Sequence, residues 1–287
     1  MPVLGYPGAT RSIPVGFPPR APAAPASSVT SMDALSGAVI VVTGANSGIG
    51  AQIAVAAGAA GAKVVIDHRD SPDQAQEVAR RVEEAGGSAV TVSADVTTTQ
   101  GRAALRDAAV EHFGRLDGWV NNAGVESRTS LLDTDEDAYD STLDVNLRAA
   151  FFCTQVAARR FIEQGGGGVV VNISSIHEDQ PMPGNAPYCL AKGGVRMLTR
   201  TAGVELAEHG IRVVGVAPGA VDTPINASET SDPETMETLR KAIPLGRMAQ
   251  PEDIAPAVVF LLSDQAAYVT ATTLVLDGGM MQASSGA

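Results

Sequence analysis

The chain has 287 residues, 45% of them hydrophobic, which suffices for one sizeable core or at most two domains. Its 32 acidic and 20 basic residues give a formal charge of −12, which argues against nucleic acid or an anionic membrane as partner, since both need clustered Lys and Arg. Only two cysteines occur, Cys153 and Cys189, and no apolar run reaches the ~20 residues of a membrane span, so a cytoplasmic protein without a disulfide framework is expected.

Residues 1–33 carry seven of the 17 prolines, set among Ala, Ser and Gly. Proline removes a donor and fixes φ, so this stretch is expected to be an extended, disordered tail ahead of one folded domain over 34–287. From Ala34 onward, short apolar runs alternate with helical stretches. The runs are "AVIVVTG" (38–44), "KVVID" (63–67), "SAVTVSAD" (88–95), "LDGWVNN" (116–122), "GVVVNIS" (168–174), "IRVVGVAPG" (211–219) and "TLVLDGG" (273–279). They are too short for helices and too continuous for one-faced strands, so they read as strands buried on both faces of a parallel sheet. The stretches 48–60, 73–86, 100–113, about 135–164, 186–209 and 251–263 read as helices. The alternation predicts an α/β fold: a single-domain, Rossmann-type doubly wound parallel sheet of about seven strands with helices on both faces.

Two local patterns carry chemistry. "TGANSGIG" (43–50) joins the first strand to the first helix, and Gly44, Gly48 and Gly50 allow a tight turn, close approach to a pyrophosphate and close helix–strand packing. "YCLAK" sets Lys192 four residues after Tyr188, on the same face of a helix. A free phenol has a pKa near ~10, and an adjacent ammonium favours phenolate, so the pair is expected to form an acid–base unit tuned towards working pH. Cys189, between them, reads as a packed small hydrophobe.

The spacing G-x-x-x-G-x-G resembles that of the short-chain dehydrogenase/reductase family. The resemblance covers nearly all of 36–280 and extends, in order, to "NNAG" (121–124), to Asn146 in "LDVN", to a serine 13 residues before Tyr188, to Tyr188-x-x-x-Lys192, and to "PG" (218–219) followed by Thr223. It departs in one place: the family often has serine before the lysine, where this chain has Ala191. The resemblance implies that Tyr188 exchanges the proton, Ser175 binds the substrate oxygen, Lys192 holds the nicotinamide ribose and Asn146 anchors a proton-passing water. Ser174 is the alternative serine. For the cofactor it implies a site drawn from Gly44, Asn46, Ser47, Gly48, Ile49, Gly50, Arg69, Asp95, Val96, Asn122, Ala123, Gly124, Tyr188, Lys192, Pro218, Gly219, Val221 and Thr223. No metal is expected.

The second strand ends in "VVIDHRD", which offers Asp67 for the ribose hydroxyls of NAD and Arg69 for the 2′-phosphate of NADP. By family register the usual NAD-type acid falls at His68, so NADP is expected, with NAD also usable. Within the family, "SSIHEDQPMP" (174–183), "NNAGVES" (121–127), "GAVDTPINA" (219–227), "DPE" (232–234) and "DGGM" (277–280) resemble the bacterial glucose 1-dehydrogenases. That resemblance implies a small-molecule substrate such as a sugar, with Glu126, His177 and Glu178 beside Ser175 and Tyr188 as hydrogen-bond partners. The alternatives are a 3-oxoacyl-carrier-protein reductase or broad ketoreductase, and a non-catalytic dinucleotide sensor. Family members commonly pair two long helices, which here are 135–164 and 186–209, so a homotetramer is expected.

Overall fold

The computed structural model describes residues 34–224 and 233–283. The tail at 1–33, most of "PINA" and the start of "DPE" lie outside the described residues. Within them, β1 (Val39–Val42), β2 (Lys63–His68), β3 (Ser88–Ser93), β4 (Gly118–Asn121), β5 (Gly168–Ile173), β6 (Ile211–Pro218) and β7 (Thr273–Leu276) form one parallel sheet. Their order is β3-β2-β1-β4-β5-β6-β7. The strand order reverses between β1 and β4, the place where open α/β sheets bind ligands.

The continuous apolar runs have a direct cause. All four residues of β1 are buried, with Ile40 and Val42 packed into one core and Val39 and Val41 into the other. The first core is covered by α1 (Gly48–Ala59), α2 (Pro72–Glu84) and a later helix, Pro251–Leu262. The second is covered by α3 (Thr99–Phe113) and by the long helices that follow β4 and β5. Local signals set the ends. In α2, Pro72 opens the first turn, and Ala75, Val78, Ala79 and Val82 make the buried stripe. In α3, the Thr98 side chain accepts from the Gly101 amide, and Gly114 ends the helix in the left-handed conformation at φ 82°.

The long helix expected over 135–164 is interrupted. It runs as α4 (Glu136–Leu143), a π-helical turn at Asp144–Arg148, and α5 (Ala149–Gln164). A π turn inserts one extra residue into the ladder, which a 3.6-residue periodicity does not reveal. The stretch 186–209 is α6 (Ala186–Glu205) followed by a 3₁₀ turn at Ala207–His209. After β6 come α7 (Pro233–Ala242), α8 (Pro251–Leu262) and the short α9 (Met280–Ala283). α7 and α9 fall outside the helical stretches expected from the sequence. Among the described residues no helix is long and apolar enough to cross a membrane.

Candidate active site

A cleft of about 410 Å³ opens at the carboxyl ends of the strands, across the β1–β4 switch point. The loop between β1 and α1 forms one wall. Gly44 sits at φ 58°, and a Cβ there would lie 2.9 Å from the Ala123 Cα, so only glycine lets the two loops meet. A Cβ on Gly50 would lie 2.4 Å from the Asn122 amide nitrogen. Gly50 therefore serves packing behind the wall, while Gly44, Asn46, Ser47, Gly48 and Ile49 face the cleft.

What holds this loop is only partly visible in the motif. The Thr43 hydroxyl, 2% exposed, accepts from the amides of Asn122 (2.9 Å) and Ala123 (3.0 Å). The Asn122 side chain donates to the carbonyls of Thr43 (2.9 Å) and Gly44 (3.0 Å). Asn122 thus ties the β4 loop to the glycine loop. Behind it, Asn121 accepts from the Trp119 indole at 2.9 Å and donates to Asn172 at 2.8 Å, and Asn172 donates to Thr199 at 2.8 Å. This buried polar chain links β4, β5 and α6, and no single-strand pattern announces it.

The amino end of α1 is free for an anion. Ser47 caps it with extended backbone but makes no side-chain cap bond, and no acid occupies the first turn. The dipole and the first amides of α1 therefore face the cleft without competition. A pyrophosphate fits that arrangement. The far end of the cleft carries Arg69, Asp95 and Val96. Asp95 accepts from the Thr97 hydroxyl at 2.6 Å and amide at 2.9 Å, and the Thr97 hydroxyl bond holds its carboxyl below the usual range. Asp67 turns inward. It is 2% exposed, and its Oδ2 accepts from the Gly44 amide at 2.9 Å. Burial pushes its carboxyl up to about 7. Arg69 stays at the surface, paired with Asp70 at 2.8 Å.

The near end of the cleft holds Tyr188, Lys192 and Asn146, the residues expected to act in catalysis. Lys192, 5% exposed, donates to the Ile173 carbonyl at 3.0 Å and lies 5.4 Å from the Tyr188 ring. Burial brings its ammonium down to about 8. Ser175 lies close enough to Tyr188 for its hydroxyl to favour the phenolate, and its Oγ accepts from the His177 amide at 3.2 Å. The π turn delivers Asn146, 3% exposed. Its amide donates to the carbonyls of Val125 (2.8 Å) and Thr142 (2.9 Å), and its oxygen accepts from the Val125 amide at 3.2 Å. Ser174 lines the cleft, while Ser175 is the serine whose hydroxyl favours the Tyr188 phenolate.

The matching family model, described as Enoyl-(Acyl carrier protein) reductase, covers residues 44–281. The chain belongs to the short-chain dehydrogenase/reductase family. It is 45% identical to the 3beta-hydroxysteroid dehydrogenase 1 of Eggerthella lenta, over 86% of this chain and 95% of that one. It is 38% identical to the glucose 1-dehydrogenase 2 of Bacillus subtilis, over 86% and 95%. Among solved structures, the gluconate 5-dehydrogenase of Burkholderia cenocepacia in complex with NADP and tartrate is similar at a TM-score of 0.82 and 33% identity, over 88% and 98%. These relatives are named dehydrogenases, and this chain is an oxidoreductase acting on alcohol groups.

Several expectations need correction. The lysine does not by itself bring Tyr188 towards neutrality: burial pushes the phenol up to about 12, against the downward pull of Ser175. Glu178 does not face the cleft. Ser175 caps a 3₁₀ turn at Ile176–Glu178, and three residues per turn carry the Glu178 carboxylate round to α6, where Arg196 lies 3.7 Å away. His177 does lie beside this pair: its amide donates to Ser175, its ring is set edge-on against Tyr188 with centroids 6.4 Å apart, and its Nδ1 lies 3.1 Å from the Gln180 carbonyl. Glu126 does line it, accepting from Asn185 at 2.9 Å and Arg128 at 2.7 Å. Gly124 and Thr223 face the cleft, while Pro218, Gly219 and Val221 stand behind it. The Gly219 amide donates to the Leu276 carbonyl, and Val221 is 2% exposed.

Proposed function

We propose that this enzyme transfers hydride between NADP and a secondary alcohol or its carbonyl, with a sugar such as glucose as substrate and NAD as a second, weaker cofactor. The observation that carries the reading is the pair of Tyr188 and Lys192 lining one end of a cleft, with Ser175 beside the phenol, while the other end is an open helix terminus. A bound nicotinamide would supply the hydride acceptor or donor; Gly44 to Gly48 would hold its pyrophosphate and Arg69 its 2′-phosphate. Ser175 donates a hydrogen bond to the substrate oxygen. In oxidation Tyr188 takes the hydroxyl proton as the hydride leaves the same carbon, giving a carbonyl; in reduction Tyr188 returns that proton. With its phenol near 12, Tyr188 rests as an acid, and the Lys192 ammonium beneath it favours the charged form when it must act as base. Asn146, fixed by three bonds to Val125 and Thr142, holds the proton path open behind Lys192.

The sugar reading draws on Glu126, a cleft carboxylate able to accept from substrate hydroxyls, and on the names of the glucose and rhamnose dehydrogenases among the relatives. A second reading, a hydroxysteroid, is favoured by the 45% identical relative. An assay of sugars, 3-hydroxysteroids and acyl thioesters with both cofactors separates them. NADP-linked sugar oxidation is expected; turnover of steroids with none of sugars assigns the second reading.

The same reading extends to a cytoplasmic homotetramer. Both cysteines are unpaired, with Cys153 buried. An apolar groove of about 850 Å³ runs between α5 and α6, with Phe151 48% and Met197 58% exposed along it. A second copy presenting the same helices would cover it.

A further inference from the structure

Outside the cleft, the most unusual group is the Glu178 carboxylate. Its side chain is 3% exposed, and buried carboxylates persist only where charge or hydrogen bonds compensate them. Three elements surround it. Just past the end of β5 comes Ser174, from β7 Thr273, and from α6 Arg196, whose Nε is 3.7 Å from Glu178 Oε1, with Arg200 a turn further on. Burial raises the carboxyl above its usual range, and Ser174, Arg196, Thr273 and Arg200 draw it back. The two hydroxyls are near enough to exert that pull, yet Glu178 Oε2, Ser174 Oγ and Thr273 Oγ1 have no partner meeting hydrogen-bond geometry among the described residues. A structural carboxylate would be tied down by such bonds; this one is retained mainly as charge.

The α6 sequence shows what the charge faces. Lys192, Arg196 and Arg200 recur every four residues, so they share one side of the helix. The 176–178 turn packs on that side, close enough that a Cβ on Gly193 would lie 3.8 Å from the Glu178 carbonyl. Lys192 bonds the carbonyl of Ile173, the residue just before Ser174, so lysine and glutamate meet the end of β5 at consecutive positions. The other groups in reach are Glu126 from the β4 loop, which also favours the Lys192 charge, and Asp179, which pairs with Arg196 at the surface. Of the two acids acting on Lys192, Glu178 acts more strongly.

We infer that Glu178 is a positioning residue acting through Lys192: its buried carboxylate is the counter-charge that keeps Lys192 an ammonium on a helix side otherwise made of like charges. The inference rests on the proposed role of Lys192 in the acid–base unit, but its test does not need turnover. The chain has three lysines, Lys63, Lys192 and Lys241, so protein labelled with ¹³Cε-lysine gives three resonances, and loss of one in Lys192→Arg assigns the third. Its titration midpoint is then read in the full-length enzyme. Glu178→Gln is expected to lower the midpoint by about 0.5–1 pH unit, the scale of one charge several ångströms away in a partly polar interior. Glu178→Asp should restore most of it. Arg196→Gln, which removes a like charge and frees Glu178, should raise it, and this variant keeps the inference testable if Glu178→Gln fails to fold. Opposite shifts are not what two merely structural lesions would give. Midpoints that stay within 0.2 unit of wild type, or that fall in both Glu178→Gln and Arg196→Gln, overturn the inference. Failure of the acid–base reading would show separately, as a Lys192→Ala enzyme that retains wild-type turnover.

Discussion

Asp67 braces the glycine loop while it still lines the cleft. Its Oδ2 holds the Gly44 amide at 2.9 Å, and Oδ1 has no partner among the described residues. The folded value of about 7 lies above the ordinary 3.8, so folding disfavours the ionised form. Below pH ~4 the group is neutral in both states and contributes no penalty. As pH rises towards 7 the unfolded chain ionises first and stability is lost, reaching on the order of 4 kcal/mol above pH 7. Asp67→Asn keeps the acceptor for Gly44 and removes the ionisation. Its melting temperature should therefore exceed that of wild type more at pH 8 than at pH 5; an equal difference at both pH values contradicts the account. Asp67 and Arg69 both line the cleft, and on the proposed reading Arg69 chooses between the two cofactors. Its pairing with Asp70 is exposed and weakly held, so a phosphate can replace it. Arg69→Ala should weaken NADP more than NAD by about tenfold or more in equilibrium binding, the loss of one charge-assisted contact. Equal losses remove Arg69 from the phosphate site.

At the level of elements, the sheet and its flanking helices were legible because buried parallel strands leave continuous apolar runs. The seven expected strands appear, six of them trimmed by a residue or a few at the ends where pairing stops and β2 one residue longer, to His68. What escaped the sequence has physical reasons. The π turn at Asp144–Arg148 leaves the helical pattern intact on either side while it swings Asn146 inward. The 3₁₀ turn after Ser175 decides which of His177 and Glu178 nears Tyr188, and three residues offer no periodicity to read. The bracing of the glycine loop by Thr43 depends on contacts 79 and 80 residues away in the chain. Thr43→Val conserves shape and β-branching but deprives two amides of their acceptor, at about 1–3 kcal/mol each if both stay buried. Both the melting temperature and cofactor affinity should fall. A variant with wild-type values for both would mean that the loop is held by Asn122 alone.

For the whole molecule, the cleft at the β1–β4 switch point and the groove between α5 and α6 share one helix, α6, which gives Tyr188 and Lys192 to the first and Met197 and Leu198 to the second. Light scattering of chain beginning at Met32 should give about four times its single-chain mass across micromolar concentrations. A constant single-chain mass refutes the tetramer. The central claim is that Tyr188 moves the proton while the rest of the cleft holds the nucleotide. The most direct test compares Tyr188→Phe with wild type for NADP binding and for turnover on its best substrate. Binding should persist within a few-fold while turnover falls by about 10²–10⁴, the range for losing a general acid–base group. Wild-type turnover in Tyr188→Phe would contradict the account.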